Sequence, residues 1–186
     1  MFGSSSGAAL ALDAANVGVP IQRLVLYEAP FIVDDGRPPI ASDFLARLTE
    51  LFAKGRRGDA VKMFMKLMDV PAPVVFVMQL LPLWRKLKTV AHTLPYDISI
   101  VQDHERGRPL RRDRWSAVSV PTLVMNGGKS PGWMHTAMRS LAAVLPDAQY
   151  RTLAGQTHML RAKAIAPVIT SYALNDLATS SPAKES

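Results

Sequence analysis

The sequence predicts an α/β fold: a mostly parallel sheet flanked by helices and interrupted by a helical insertion. Three observations carry that expectation. Short buried-strand patterns alternate with amphipathic helices over residues 1–37 and again over 116–175. Between them, residues 38–115 show helical periodicity and no strand pattern. The 186 residues, 48% hydrophobic and 20% charged, suffice for a sizeable core of ordinary globular balance.

The elements follow in order. The chain opens "MFGSSSGAALALDAAN". Gly3-Ser4-Ser5-Ser6-Gly7 has the composition of a flexible linker. It also fits G-x-S-x-G, the strand-to-helix turn that lifts a nucleophilic serine out of a sheet. "AALALDAAN" is rich in strong helix formers, and Gly18 and Pro20 stop it. Leu24-Val25-Leu26-Tyr27 reads as a short buried strand. A helix leading into a buried strand is half of a βαβ unit, so a strand should precede it, represented by Met1-Phe2. That context favours the turn over the linker.

"ASDFLARLTELFAKG" is an amphipathic helix with Ser42 as expected N-cap and Gly55 past its end. "GDAVKMFMKLMDV" is a second, with Asp59 as cap and Val61, Phe64, Met65 and Met68 on one side. "APVVFVMQLLPLWRKLKTVAHTL" supplies one or two more, broken at Pro82. Alternation then resumes with a strand in "VPTLVMNGG", a helix in "WMHTAMRSLAAVLP" closed by Pro146, and a strand in "AQYRTLAGQTH". A last helix covers "MLRAKAIAPVITSYAL", and residues 176–186 are expected to be a disordered polar tail.

Several classes are excluded on composition. Without cysteine there is neither a disulfide framework nor a thiolate metal site. No glycine-rich phosphate loop or metal-ligand cluster occurs, so neither cofactor nor metal is expected. The longest apolar stretch, "VPAPVVFVMQLLPLW", is short and broken by Pro71, Pro73 and Pro82, so no membrane span is expected. "MFGSSSG" has neither the basic start nor the apolar run of a secretory signal, and a cytoplasmic location is the expectation. The formal charge of +7 comes mostly from "KGRRGDAVK" and "ERGRPLRRDRW". Neither cluster has interleaved aromatics, zinc spacing or a helix–turn–helix pattern, so they read as solvated faces rather than a nucleic-acid surface.

The remaining pattern suits acyl transfer, which needs a nucleophile, a histidine to take its proton, a carboxylate to orient that histidine, and oxyanion donors. In open α/β sheets such groups follow strand carboxyl ends. Ser5 is the middle of the pentapeptide, where Gly3 and Gly7 would let strand and helix backbones approach closely. The backbone N–H of Ser6 would be an oxyanion donor at the helix start. His158, in "LAGQTHML", lies in the loop between a predicted strand and the last helix. His92, His104 and His135 fall in helical segments or the basic loop, where structural or solvated roles are expected.

"FGSSSGAAL", "RLVLYEAPF", "VPTLVMNGGKSP" and "LAGQTHML" come in the order and at the spacing that resembles the α/β-hydrolase family, in its subgroup with a helical lid. The resemblance covers residues 1–175 and implies that 38–115 form the lid. Members of that family commonly carry the acid after the strand corresponding to "PTLVMNGG", where this sequence has Ser130. Some members, haloalkane dehalogenases among them, place it after the preceding strand, the position of Glu28. Asp34 and Asp35 are weaker alternatives. Ser5, Glu28 and His158 keep the nucleophile–acid–histidine order of the fold. A serine nucleophile implies ester, lactone or similar acyl chemistry. An apolar small-molecule substrate is expected in a pocket including Met65, Phe76, Trp84 and Asp97. Family members also have strands before the nucleophile turn. The resemblance therefore implies an N-terminally truncated chain with an exposed sheet edge open to self-association. The alternative is a non-catalytic remnant or interaction module of the same fold.

Overall fold

The computed structural model describes residues 1–179, with side chains through 174. The chain forms two compact units, Met1–Pro38 with the segment from Gly107 onward, and Pro39–Arg106. In the first, β1 (Phe2–Ser4), β2 (Leu24–Tyr27), β3 (Thr122–Gly127) and β4 (Ala148–Leu153) form a four-stranded sheet in that order. Every neighbouring pair is parallel, with Ser4 beside Tyr27, Tyr27 beside Met125, and Gly127 beside Leu153. This register aligns the carboxyl ends of all four strands along one edge.

β2 is apolar throughout and β3 is buried at every residue, Thr122 and Asn126 included, because both faces of these strands are covered. Val25, Tyr27, Leu123, Met125 and Leu153 alternate onto one face and pack against Ile165, Val168, Ile169 and Tyr172 of α8 (Ala162–Thr179). Helix α1 (Ser6–Asn16) packs on β1 and β2, and α7 (Gly132–Val144) on β3 and β4. The buried face of α1 is nearly all alanine with Leu12, so its axis lies close to the sheet. Gly3 is where that approach is tightest: a Cβ there would stand 2.2 Å from the Gly7 carbonyl oxygen and 2.7 Å from Ala8 Cα. Gly7, expected to serve the same approach, has open space around it, because it lies in the first turn of α1 pointing off the sheet contact.

The second unit holds α2 (Phe44–Ala53), α3 (Arg57–Leu67), α4 (Ala72–Leu80), α5 (Pro82–Val90) and α6 (Leu94–Val101). The α4–α5 break falls at Leu81, whose extended backbone is the conformation a following proline imposes. Val61, Val75, Trp84 and Ala91 form the interior of α3, α4, α5 and the turn after it. Among the described residues, no helix is long and apolar enough to cross a membrane.

Four expectations are corrected. Ser42 does not cap α2: the N–H of Phe44 is taken by the Ala41 carbonyl at 3.0 Å, and Asp43 is the residue at the cap position. α3 starts before Asp59, because Asp59 and Ala60 both donate to the Arg56 carbonyl. The helical unit ends at Arg106 rather than 115. Gly107 donates to the Ile32 carbonyl at 2.9 Å, and Trp115, 1% exposed, stacks on Phe31 at 5.9 Å. Those contacts hold 107–115 to the sheet unit. Finally, α8 continues to Thr179, so the backbone at 176–179 is helical, and 180–186 of the expected tail lie outside the described residues.

The two glycines of the first turn should therefore respond differently. Gly3→Ala meets backbone atoms that cannot swing away and should cost about 1–3 kcal/mol. Gly7→Ala should be neutral or stabilising by up to about 1 kcal/mol, from the better helix propensity of alanine. Urea unfolding midpoints of the two variants measure the difference, and equal midpoints would refute the steric account.

Candidate active site

Ser5 occupies the single-residue junction between β1 and α1. Its backbone is at φ 56, ψ −132, a conformation that L residues rarely adopt and that costs about 1–3 kcal/mol. Hydrogen bonds on both sides impose it: the Ser5 N–H donates to the Tyr27 carbonyl at 2.9 Å, and its carbonyl accepts from Ala8 N–H at 2.9 Å. The chain must leave a strand and enter a helix within one residue, and Gly3 provides the clearance. Ser6 is the first residue of α1.

Glu28 follows β2 immediately and also has a positive φ, 48. Its N–H donates to the Met125 carbonyl at 3.0 Å, and its side chain is fully buried, 0% exposed. A carboxylate in that position requires donors, and three are present. Oε1 accepts from the Gly127 N–H at 2.7 Å and the Ser130 hydroxyl at 2.5 Å. Oε2 lies 2.8 Å from His158 Nδ1. Burial by itself would raise the carboxyl pKa, yet the bonds from His158, Ser130 and Gly127 together hold it below the ordinary value. The group is thus an anion near neutral pH, and an anionic carboxylate only accepts. The proton between it and His158 therefore sits on Nδ1, leaving Nε2 of the neutral ring with a lone pair. The His158 side chain is 41% exposed, so this lone pair belongs to a solvent-reachable imidazole.

The loops that bring these donors together are zipped to each other. Gly128 N–H donates to the Leu153 carbonyl at 2.8 Å and Lys129 N–H to the Gln156 carbonyl at 2.9 Å. The Tyr27 hydroxyl donates to the Thr157 carbonyl at 2.7 Å, one residue before His158. Burial, with the neighbouring Glu28 charge, raises the Tyr27 phenol pKa, so it remains a donor. Gly127 is the contact point: a Cβ there would lie 2.5 Å from the Gln156 carbonyl oxygen and 2.8 Å from the Tyr27 hydroxyl.

The other sequence candidates stand elsewhere. Asp34 accepts from Gly36 N–H at 3.0 Å in a local turn, and Asp35 is exposed. His135 Nδ1 accepts from Asn126 Nδ2 at 2.9 Å, His92 Nδ1 bonds the Thr89 carbonyl at 2.9 Å, and His104 is buried. Of the residues expected to line an apolar pocket, Trp84 and Met65 are consumed in the interior of the helical unit. Phe76 is 63% exposed on α4, and Asp97 is half-buried in the first turn of α6. The groove beside Trp84 is lined chiefly by charged residues, Arg56, Arg57, Asp59, Lys62, Arg85 and Lys88. Two contributors were not anticipated, the Ser130 hydroxyl and the Gly127 N–H. The glycine pair in "NGGKS" signalled a tight turn, and nothing local indicated that the turn would close on a carboxylate from another strand.

The four-stranded parallel sheet flanked by helices is a fold shared with solved α/β hydrolases. An alpha/beta hydrolase from Sphaerobacter thermophilus is 46% identical over 92% of this chain, with a TM-score of 0.79. The chain belongs to the α/β-hydrolase family and spans 65% of the length of that relative. A hydrolase from Oleispira antarctica (17% identity, TM-score 0.58; 94% of this chain, 64% of that one) shares the fold. So does a highly thermostable carboxyl esterase from Bacillus coagulans (13% identity, TM-score 0.56; 96% of this chain, 64% of that one). No protein-family model and no curated protein matches the chain.

Glu28 gives the acid side of the stability profile a definite sign. Its folded pKa lies below the ordinary 4.5, so its bonds contribute stability above that value, and the contribution is lost as pH falls through the lowered one. Ser130→Ala deletes one of the bonds that lower it. The variant should lose about 1–3 kcal/mol at neutral pH, and its acid unfolding transition should move to higher pH. Urea unfolding across acid to neutral pH measures both, and an unshifted transition would show that the Ser130 bond does not hold the carboxylate.

Proposed function

We propose that the chain carries the catalytic groups of a serine hydrolase acting on an ester, lactone or similar acyl substrate. Ser5 is the nucleophile, His158 the general base and Glu28 the acid. The observation that carries this reading is the 2.8 Å contact between His158 Nδ1 and the buried Glu28 carboxylate, at the carboxyl edge of the sheet where Ser5 follows β1. A carboxylate that fixes the tautomer of a solvent-reachable imidazole serves proton transfer better than packing. The strained Ser5 backbone supports the same reading, since strain of that kind collects at functional positions.

In this mechanism His158 Nε2 takes the Ser5 hydroxyl proton as Oγ attacks the acyl carbon, and Glu28 stabilises the imidazolium that forms. The carbonyl oxygen becomes an oxyanion at the start of α1, where the Ser6 N–H is the donor assigned here. Collapse of the tetrahedral intermediate breaks the bond to the leaving alkoxide, which takes the proton from His158. Water then attacks the acyl-enzyme with His158 again as base, releasing the acid and restoring the serine. The description of the Sphaerobacter thermophilus relative as a hydrolase supports this class of chemistry.

A fluorophosphonate probe should label the folded chain at Ser5, and Ser5→Ala should abolish the label. Glu28→Gln should keep the fold and lower hydrolysis of a short-chain aryl ester by about 10³–10⁴-fold. A folded chain that takes no label would favour the non-catalytic module, and near-normal turnover by Glu28→Gln would remove the acid from its role.

A further inference from the structure

The helical unit holds a groove of about 510 Å³ between the start of α3 and one face of α5. Its charge is one-sided. Arg56, Arg57 and Lys62 come from α3 and its cap, Arg85 and Lys88 from α5, and the one carboxylate among the lining residues is Asp59. Asp59 is already engaged, at 2.8 Å from Arg56 Nε and 3.3 Å from Lys62 Nζ. Among the described residues Arg57, Arg85 and Lys88 have no carboxylate partner. Three unneutralised cations around one concavity repel each other, and a bound anion would relieve that repulsion.

A second feature is independent of charge. Trp84 is only 7% exposed, yet it lines the groove, and its indole N–H makes no hydrogen bond among the described residues. The Nε1 atom lies 3.9 Å from where a Cβ on Gly58 would stand, in a gap that Gly58 leaves open at the first turn of α3. An indole N–H can only donate, and this one, open to the groove and without a protein acceptor among the described residues, is available to a ligand oxygen. Arg57 and Gly58, the first residues of an eleven-residue helix, line the same space, and a helix start favours negative charge.

From this juxtaposition we propose that the groove binds a small phosphorylated molecule, its phosphate seated between Arg57, Arg85 and Lys88 with one oxygen accepting from Trp84 Nε1. A single carboxylate would leave most of the cationic excess uncompensated, whereas a phosphate brings up to two charges and three acceptor oxygens. The volume lies within the range of small-molecule sites. An extended nucleic-acid strand is disfavoured because the Trp84 ring face is buried and cannot stack on a base. The site is separate from the chemistry assigned to Ser5, and neither proposal needs the other.

Calorimetric titration of the full chain with inorganic pyrophosphate, at low and physiological ionic strength, tests the site. Saturable one-to-one binding is expected, weakening with salt. Arg57→Gln/Arg85→Gln/Lys88→Gln should weaken it by at least roughly tenfold. Arg108→Gln/Arg112→Gln/Arg151→Gln removes the same charge from exposed positions in the other unit and should leave it within about twofold. Trp84→Phe, checked for native circular dichroism, should weaken binding several-fold through loss of the N–H. The proposal falls if binding does not saturate, if both triple variants weaken it equally, or if Trp84→Phe binds as the native chain does. It falls too if phosphatidylglycerol vesicles bind through the same three cations and pyrophosphate does not displace them, since the face would then dock on a lipid surface.

Discussion

The organising constraint of the sheet unit is one buried negative charge. Glu28 leaves β2 at full burial with its carboxylate ionised, and an isolated anion there would cost far more than the fold has to spare. The charge is tolerable only because donors reach it from the loops after β3 and β4. Those loops are thereby committed to one arrangement. The turn after β3 must present the Gly127 N–H and the Ser130 hydroxyl together, and the loop after β4 must bring an imidazole N–H to the other oxygen. The tautomer of His158 follows from the electrostatics of burial, with no separate device needed to set it.

The same economy governs the backbone around the site. Ser5 and Glu28 directly follow adjacent parallel strands and both hold positive φ, where serine and glutamate are disfavoured. Each is locked from two sides, Ser5 by Tyr27 and Ala8 and Glu28 by Met125 and its side-chain donors. Tyr27 serves both: its carbonyl fixes the Ser5 turn, and its hydroxyl anchors the residue before His158. Strain near each strand end is thus sustained by the sheet and the loop zipper. A change at Gly127, remote from Ser5 in sequence, would disturb the serine turn and the imidazole through this one tyrosine.

How much of this was legible in the sequence divides along a physical line. Strand β2 at Leu24–Tyr27, the all-helical middle and the break at Pro82 were readable because burial pattern and proline act locally. Positions set by tertiary contact were not. Whether Gly3 or Gly7 is required depends on which one faces the other element, and composition treats them alike. Residues 107–115 read in the sequence as the end of the helical insertion, until Trp115 stacks on Phe31. Ser42 had the chemistry of a cap, yet a backbone turn reached the same N–H first. For the candidate site, Ser5, Glu28 and His158 could each be placed after a strand from local pattern, whereas the Ser130 and Gly127 bonds required knowing that two loops close on one carboxylate.

Charge shows the same division more sharply. Several surface basic residues have carboxylate partners at helical or near-neighbour spacing: Arg47 with Asp43, Lys54 with Glu50, Arg56 and Lys62 with Asp59, Arg111 with Asp113. Such exposed pairs contribute little to stability but neutralise their surroundings. What distinguishes Arg57, Arg85 and Lys88 is that they line one groove beside Trp84, where the one acid among the lining residues, Asp59, is already paired with Arg56 and Lys62. A fold under selection for packing alone has cheap remedies for the repulsion among these cations, since a glutamate at any exposed position facing the groove would relieve it. A one-sided charge kept beside an unfilled donor therefore argues for an anion that supplies the missing partner.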